Sequence, residues 1–306
     1  MNSKKVSITI SAMQRKYGPK EALRIAKEIG ADAVDFGLDL FLQTPRPYDV
    51  RNPESIYCKS DEEIIAFFSE FREYADSLGL KICQTHGRFK GLLNDPEIDT
   101  ITLENIRRDL LATSALGAPV CVIHTIATPH IGPQPDELMY QLNLDLFTSI
   151  IPYAKEYGIK VATETFGDAE QYQMCDFFGN IEHFVKGYED ICAVEDFKDH
   201  LTICMDTGHS NKAVLYGQPS SADVIRRLGK NISVLHLNDN NKFKDQHKIP
   251  MTGDLDWEDI MNALEEIGYE GYYNMEVNLG WFGPDMLKET AAFAIKVMKN
   301  MLKDRT

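Results

Sequence analysis

The sequence predicts an α/β fold, a single (β/α)8 barrel over residues 1–306, on three observations. Short apolar runs alternate eight times with longer amphipathic segments, as expected for a parallel sheet. The connections are short, and no change in composition marks a second domain. No Gly-x-Gly-x-x-Gly motif follows the first run, which disfavours an open sheet that binds a dinucleotide.

The eight predicted strands are runs rich in β-branched and other apolar residues. They cover residues 6–10, 33–36, 81–84, 120–123, 160–163, 201–205, 232–237 and 271–275. The predicted helices have apolar residues three and four positions apart, and several end at a glycine. They cover residues 19–29, 61–78, 102–116, 136–157 with a break or bend near Pro152, 180–197 as a broken helix, 221–228, 257–267 and 286–302. Residues 40–59 hold three prolines and are predicted to form an irregular loop.

The composition and net charge of the chain disfavour nucleic-acid-binding and membrane-spanning proteins. The formal net charge is −15, and an acidic surface repels phosphates, so nucleic acid is disfavoured as a partner. No window approaches the roughly 18 uninterrupted apolar residues of a membrane span, and we find no signal peptide. The six cysteines form no Cys-x-x-Cys pair. We therefore expect a cytoplasmic protein without a membrane partner. The sequence is compatible with a homo-oligomer.

Six consecutive predicted strands, the third to the eighth, each end in a residue that can bind a metal ion or transfer a proton. These residues are His86, His124, Glu164, Asp206, His236 and Glu276. His209 follows soon after Asp206, and Asp245 and His247 lie in the loop after the seventh strand. Because the carboxyl ends of barrel strands meet at one rim, we expect these side chains to lie close together.

This set of residues is informative because a ligand-type residue recurs at the ends of six consecutive predicted strands. A single histidine or glutamate at a strand end is most often a satisfied polar group or a helix cap. Core packing favours apolar residues at such positions, so six ligand-type residues in succession need another explanation. Carboxylates with an imidazole form an oxygen and nitrogen shell suited to Mn²⁺, Co²⁺, Mg²⁺ or Zn²⁺. The sequence therefore predicts a divalent metal ion as cofactor.

Four short motifs at the ends of predicted strands 5 to 8 carry a resemblance to a known family. They are Thr163-Glu164, Met205-Asp206-Thr207-Gly208-His209, Leu235-His236-Leu237-Asn238-Asp239 and Asn274-Met275-Glu276. In this order they resemble the sugar phosphate isomerase/epimerase group of the xylose isomerase-like TIM barrels. The resemblance extends over essentially the whole chain, but the motifs identify no single substrate.

The resemblance to ketose 3-epimerases of this group implies a role for each site residue. The metal ligands would be Glu164, Asp206, His236 and Glu276, and the two glutamates would also exchange the substrate proton as the catalytic pair. His86, Arg88, His124, His209 and His247 would bind the substrate, with a structural salt bridge as the alternative for Arg88. The implied activity is isomerisation or epimerisation of a small ketose or polyol-derived ketone through an enediolate.

Aromatic side chains near the strand ends are candidates for the pocket wall, since apolar rings cover sugar faces. We expect this role for Trp281, Phe282, Phe41 and Tyr48, with helix packing as the alternative.

A second family shares this barrel but has another chemistry. Endonuclease IV-like enzymes act on apurinic sites with nine ligands to three zinc ions, and this sequence has a matching residue at each position. Asp245 and His247 would then bind a further metal ion. The net charge favours the sugar enzyme, because a DNA-binding protein needs a basic face. Dehydratases of inositol-type ketones and hydroxypyruvate isomerases use similar shells, and a barrel that binds without catalysis is a third hypothesis.

Overall fold

The computed structural model describes residues 4–42, 52–194 and 196–305, and in these ranges eight parallel strands form one sheet. The strands are β1 (Val6–Thr9), β2 (Ala33–Gly37), β3 (Lys81–His86), β4 (Val120–His124), β5 (Lys160–Glu164), β6 (Leu201–Asp206), β7 (Ile232–His236) and β8 (Tyr273–Met275). Their spatial order is β8-β1-β2-β3-β4-β5-β6-β7. A parallel bridge between Leu237 and Met275 brings β7 and β8 together and closes the predicted (β/α)8 barrel.

Helices surround the barrel and follow its strands along the chain. They are α1 (Ser11–Tyr17), α2 (Pro19–Glu28), α3 (Asp61–Ser77), α4 (Pro96–Ala115), α5 (Thr128–Ile131), α6 (Asp136–Glu156), α7 (Ile181–Cys192), α8 (Thr207–Ala213), α9 (Ser221–Leu228), α10 (Trp257–Glu266) and α11 (Leu287–Leu302). None of the helices in the described ranges combines the length and apolar character needed to cross a membrane.

The alternation of side chains along the strands decides which residues face the barrel interior. Val122, Ala162, Cys204 and Val234 form a small apolar cluster together with Val120, separate from the larger core that includes the helices. The residues two positions further along the same four strands are His124, Glu164, Asp206 and His236. Side chains two positions apart along a strand point to the same face of the sheet, so these four residues also face the barrel interior. They lie above the apolar cluster, at the carboxyl end of the barrel.

The structure extends several predicted elements. Strands β3 to β6 each run one or two residues further than predicted and so include their terminal ligand-type residue. Helix α4 begins at Pro96 and not at residue 102, because Asp95 accepts hydrogen bonds from the backbone N–H groups of Glu97 and Ile98. Helix α6 is a single helix that contains Pro152.

Some short elements were not predicted. Helices α1, α5 and α8 have four to seven residues each, too few for the helical periodicity to stand out. A small antiparallel pair, Asp168–Ala169 with Met174–Cys175, follows β5. These pieces lie in the loops after the strands, where the cavity described below is formed.

The structure disagrees with the expectation that Arg88 binds the substrate and supports the alternative, a structural salt bridge. Arg88 is 2% exposed, and its Nε and Nη2 donate to Asp109 Oδ2 at 3.0 and 2.9 Å. Tyr57 Oη donates to the other oxygen of Asp109 at 2.7 Å. The guanidinium is thus held in a buried network with α4 and does not line the cavity near the strand ends.

We expect Arg88→Met to destabilise the fold, because it leaves the carboxylate of Asp109 buried and without its cation. The expected loss in the free energy of unfolding is about 3–5 kcal/mol, measured by urea denaturation. Arg72→Met is the matched control, since Arg72 is 57% exposed and lies 3.9 Å from Asp76. Its expected effect is below about 1 kcal/mol. Equal stability of Arg88→Met and the wild type would contradict the structural role.

Candidate metal and substrate site

Four predicted metal ligands lie together at the carboxyl end of the barrel. One atom from each of Glu164, Asp206, His236 and Glu276 lies within 4.8 Å of the others. The register of the strands explains this arrangement. His236 pairs with Asp206 across β6 and β7, and Glu276 directly follows the residue that closes the barrel.

Glu164 lies at the centre of the group and is fully buried. His236 Nδ1 is 3.0 Å from its Oε1, His124 Nε2 is 2.9 Å from its Oε2, and His209 Nδ1 is 3.4 Å from its Oε1. Burial alone would raise the pKa of this carboxyl, but His124 and His236 outweigh that effect and hold the pKa well below its usual range. Glu164 is therefore ionised and available as a ligand.

Glu276 also has two close histidine neighbours, and it shares one of them, His236, with Glu164. His236 Nδ1 is 3.2 Å from Glu276 Oε2, and His86 Nε2 is 3.3 Å from Glu276 Oε1. Burial lowers the pKa of His86, but the carboxylates of Glu276 and Glu164 overcome this and raise the pKa to about 9. His86 and His124 are themselves in contact through their Nε2 atoms at 3.4 Å.

Asp206 is positioned by the turn from β6 into α8. As the N-cap of α8, its Oδ1 accepts a hydrogen bond from His209 N at 2.6 Å, and its Oδ2 accepts one from Asn238 Nδ2 at 2.8 Å. The chain can pass here only because residue 208 is glycine, since a Cβ would collide with Asn238 Oδ1. Burial raises the pKa of Asp206 to about 6.

The chemistry of the four residues fits a divalent cation. Three carboxylates and one imidazole give mainly hard oxygen donors with one nitrogen, a set used for Mn²⁺, Mg²⁺, Co²⁺ and Zn²⁺. Glu164 Oε2 is buried and has no well-oriented hydrogen bond in the described structure. Buried carboxylates need a compensating positive charge, and a bound cation would supply it.

Asp35 is a site residue that the sequence reasoning missed. It is fully buried in the middle of β2, and its Oδ2 lies 3.3 Å from His236 Nε2, on the opposite edge of the imidazole from Glu164. Thr9 Oγ1 donates to the same oxygen at 2.9 Å. A carboxylate behind a ligating histidine fixes its tautomer and orientation. An acidic residue inside an otherwise apolar strand was the available signal.

The remaining predicted site residues form two further groups beside the first. His86, His124 and Glu164 can also hold an ion, as can His209, Asp245 and His247. In the second group, Asp245 Oδ2 is 3.2 Å from His247 Nε2 and 3.7 Å from His209 Nε2. Apart from Arg88, the structure thus brings every predicted site residue to one rim.

Two adjoining cavities, of about 410 and 290 Å³, open at this rim. Both are lined by Phe89, Asp245, His247 and Glu276, and the larger also by His124, Phe166, Asp168, His209 and Lys212. The aromatic walls are therefore Phe89 and Phe166, and the expectation for three other rings is wrong. Trp281 and Phe282 are exposed and line neither cavity, while Phe41 packs on Phe68. Tyr48 lies outside the described residues.

Comparison with known proteins supports the same fold. Curated relatives include uncharacterized proteins of Methanocaldococcus jannaschii and Sinorhizobium fredii, 27% and 26% identical over 58% and 57% of this chain and 56% and 52% of theirs. The chain thus spans about half the length of these relatives. A D-psicose 3-epimerase of Enterocloster bolteae is 32% identical over 105 residues, which are 34% of this chain and 30% of that protein.

Two solved structures match over almost the whole chain. A D-tagatose 3-epimerase-like protein has a TM-score of 0.70 at 20% identity and covers 98% of this chain and 97% of its own. The IOLI protein with a bound zinc atom has a TM-score of 0.68 at 19% identity, with coverages of 98% and 97%. At these identities the two structures show a shared fold. A family model for the xylose isomerase-like TIM barrel matches residues 23–300, and the chain belongs to this family.

Proposed function

We propose that the protein is a divalent-metal-dependent isomerase or epimerase that acts on a small ketose or polyol-derived ketone. The observation that carries the proposal is the convergence of Glu164, Asp206, His236 and Glu276 beside a cavity of about 410 Å³. Family membership and the epimerases and isomerases among its relatives support it. A solved structure of the same fold contains a bound zinc atom, which supports a divalent metal as cofactor.

A divalent ion held by these four residues would polarise the substrate carbonyl and acidify the neighbouring C–H bond. Either Glu164 or Glu276 would accept that proton, which leaves an enediolate, and the other glutamate, protonated from solvent before the step, would donate a proton back. Proton exchange with solvent would then return both glutamates to their starting states. Return to the same carbon from the opposite face inverts it, which is epimerisation. Return to the former carbonyl carbon gives an aldose–ketose isomerisation.

The histidines around the group would orient the substrate and stabilise its oxygens. His124, His209 and His247 line the larger cavity, and His86 lines the smaller one. Phe89 and Phe166 offer apolar faces to the carbon skeleton of a sugar. The cavity thus combines a polar reaction centre with apolar walls, as small-molecule sites commonly do.

We expect Glu276→Gln to lower turnover of a ketose substrate by about 10²–10⁴-fold, because an amide cannot exchange the substrate proton. The measurement is incorporation of solvent deuterium at the reacting carbon across a panel of ketoses, with metal content determined on the same samples. Glu266→Gln is the control, since Glu266 pairs with Arg226 on the surface. Full deuterium exchange by Glu276→Gln with bound metal would remove Glu276 from the catalytic pair.

We expect Asp35→Asn to weaken metal binding by about tenfold, because the histidine ligand loses its charged partner. The readout is the Kd for Co²⁺ or Zn²⁺, obtained by competition between a chelator and the metal-free protein. Asp32→Asn is the matched control, since Asp32 Oδ2 accepts a hydrogen bond from Val6 N at the other end of the barrel. Unchanged affinity in Asp35→Asn would show that Asp35 does not position His236.

One observation favours a second candidate function, a multi-metal phosphodiesterase of the endonuclease IV type. Among the described residues, five groups of side chains at the rim could each hold an ion, and Glu164 belongs to three of these groups. Such an arrangement could hold ions close together, as in two-metal phosphoryl transfer sites. The net charge of −15 weighs against a DNA substrate.

The number of ions per chain separates the two candidates. We expect elemental analysis of the purified protein to give one divalent ion per chain and no cleavage of DNA at apurinic sites at physiological salt. Three zinc ions per chain together with such cleavage would promote the phosphodiesterase and reject the sugar enzyme.

A further inference from the structure

A buried lysine lines the larger cavity beyond the reaction centre. Lys212 lies three residues after His209 on α8, and both side chains line this cavity. Residues at this spacing lie on the same side of a helix, separated by about 4.5 Å along its axis. Lys212 is only 5% exposed, and a lysine is almost never buried to this degree without a partner.

The partner is Asp168 in the short strand after β5. Lys212 Nζ lies 2.8 Å from Asp168 Oδ1, and both side chains are buried. Asp168 Oδ1 makes no hydrogen bond of normal geometry, so the contact is an ion pair. Tyr216 Oη donates a hydrogen bond to Asp168 Oδ2 at 3.3 Å. Asp168 also pairs with Cys175 in the short antiparallel sheet, which fixes the position of its backbone. The carboxylate therefore neutralises the ammonium group and fixes its place.

The ammonium and carboxylate groups in direct contact at this ion pair are equal in number. Glu170 lies 3.7 Å from Lys212 Nζ and is itself paired with Lys244, so two ammonium groups face two carboxylates. Lys90 and His130 also line the cavity, and each is engaged by other groups of the protein. A phosphate here would meet a cation that is already balanced and a carboxylate that repels it. A hydroxyl group can accept from the ammonium without this cost.

We infer that Lys212 and Asp168 form a subsite for the uncharged hydroxyl groups at the far end of the substrate. Lys212 donates to a substrate hydroxyl oxygen, and Asp168 acts as the positioning residue behind it. The subsite selects a neutral five- or six-carbon ketone over a phosphorylated sugar and over a short ketose that does not reach it. This inference rests on the proposed function for the reaction end of the cavity.

The test compares substrates of different length. Lys212→Met combined with Asp168→Asn removes both charges, so that no unpaired buried carboxylate is left to unfold the protein. We expect the KM for a six-carbon ketose to rise about tenfold, the size of one lost hydrogen bond to a charged group, with kcat nearly unchanged. The KM for a four-carbon ketose should stay the same. Lys244→Met is the matched control, because Lys244 also pairs with Glu170 but is 64% exposed.

Calorimetric binding of a six-carbon sugar alcohol, measured in parallel, separates failure of the subsite from failure of the proposed function. If the wild type turns over no ketose, the proposed function fails, while the sugar alcohol still decides whether the double variant binds more weakly. Equal changes for short and long ligands would overturn the subsite. A wild-type preference for a phosphorylated six-carbon ketose over the neutral one would overturn it as well.

Discussion

A fully buried carboxylate is stable only when neighbouring groups balance its charge. Glu164 at the rim of the barrel is fully buried, so the residues around it must supply positive charge or hydrogen-bond donors. Three imidazoles, those of His124, His209 and His236, lie within 3.4 Å of its oxygens. Each comes from a different strand or the helix after it, so the balance exists only when the units assemble in the correct order. The same concentration of acidic and basic groups makes the rim suitable for a cation and for moving a proton.

The register of the strands determines which side chains lie next to one another at the rim. His124 lies opposite Glu164, and Asp206 lies opposite His236, so neighbouring strands end at the same level. Below them the same face of each strand is apolar, which keeps water from the base of the site. Behind the imidazole of His236, the carboxylate of Asp35 belongs to a strand on the far side of the barrel. The barrel interior therefore supplies both the proposed metal ligands and a carboxylate placed to orient one of them.

The sequence was sufficient to predict the gathering of the strand-end residues, because barrel topology alone brings the carboxyl ends of the strands together. It was less informative where placement depends on contacts between distant segments. Arg88 lies two residues after His86, yet the chain turns there and the guanidinium meets Asp109 of α4. Lys212 lies on a helix too short to be predicted, and its partner Asp168 comes from the loop after another strand. The rings of Phe89 and Phe166 reach the cavity from loops whose paths no local pattern specifies.

The proposed function depends on a single cation shared by Glu164, Asp206, His236 and Glu276. A crystal structure of the protein loaded with Mn²⁺ or Zn²⁺, with data collected at the absorption edge of the metal, tests this most directly. We expect an anomalous peak about 2.0–2.3 Å from one oxygen or nitrogen atom of each of the four residues. An ion bound elsewhere, or a peak that two or more of these side chains do not contact, would contradict it.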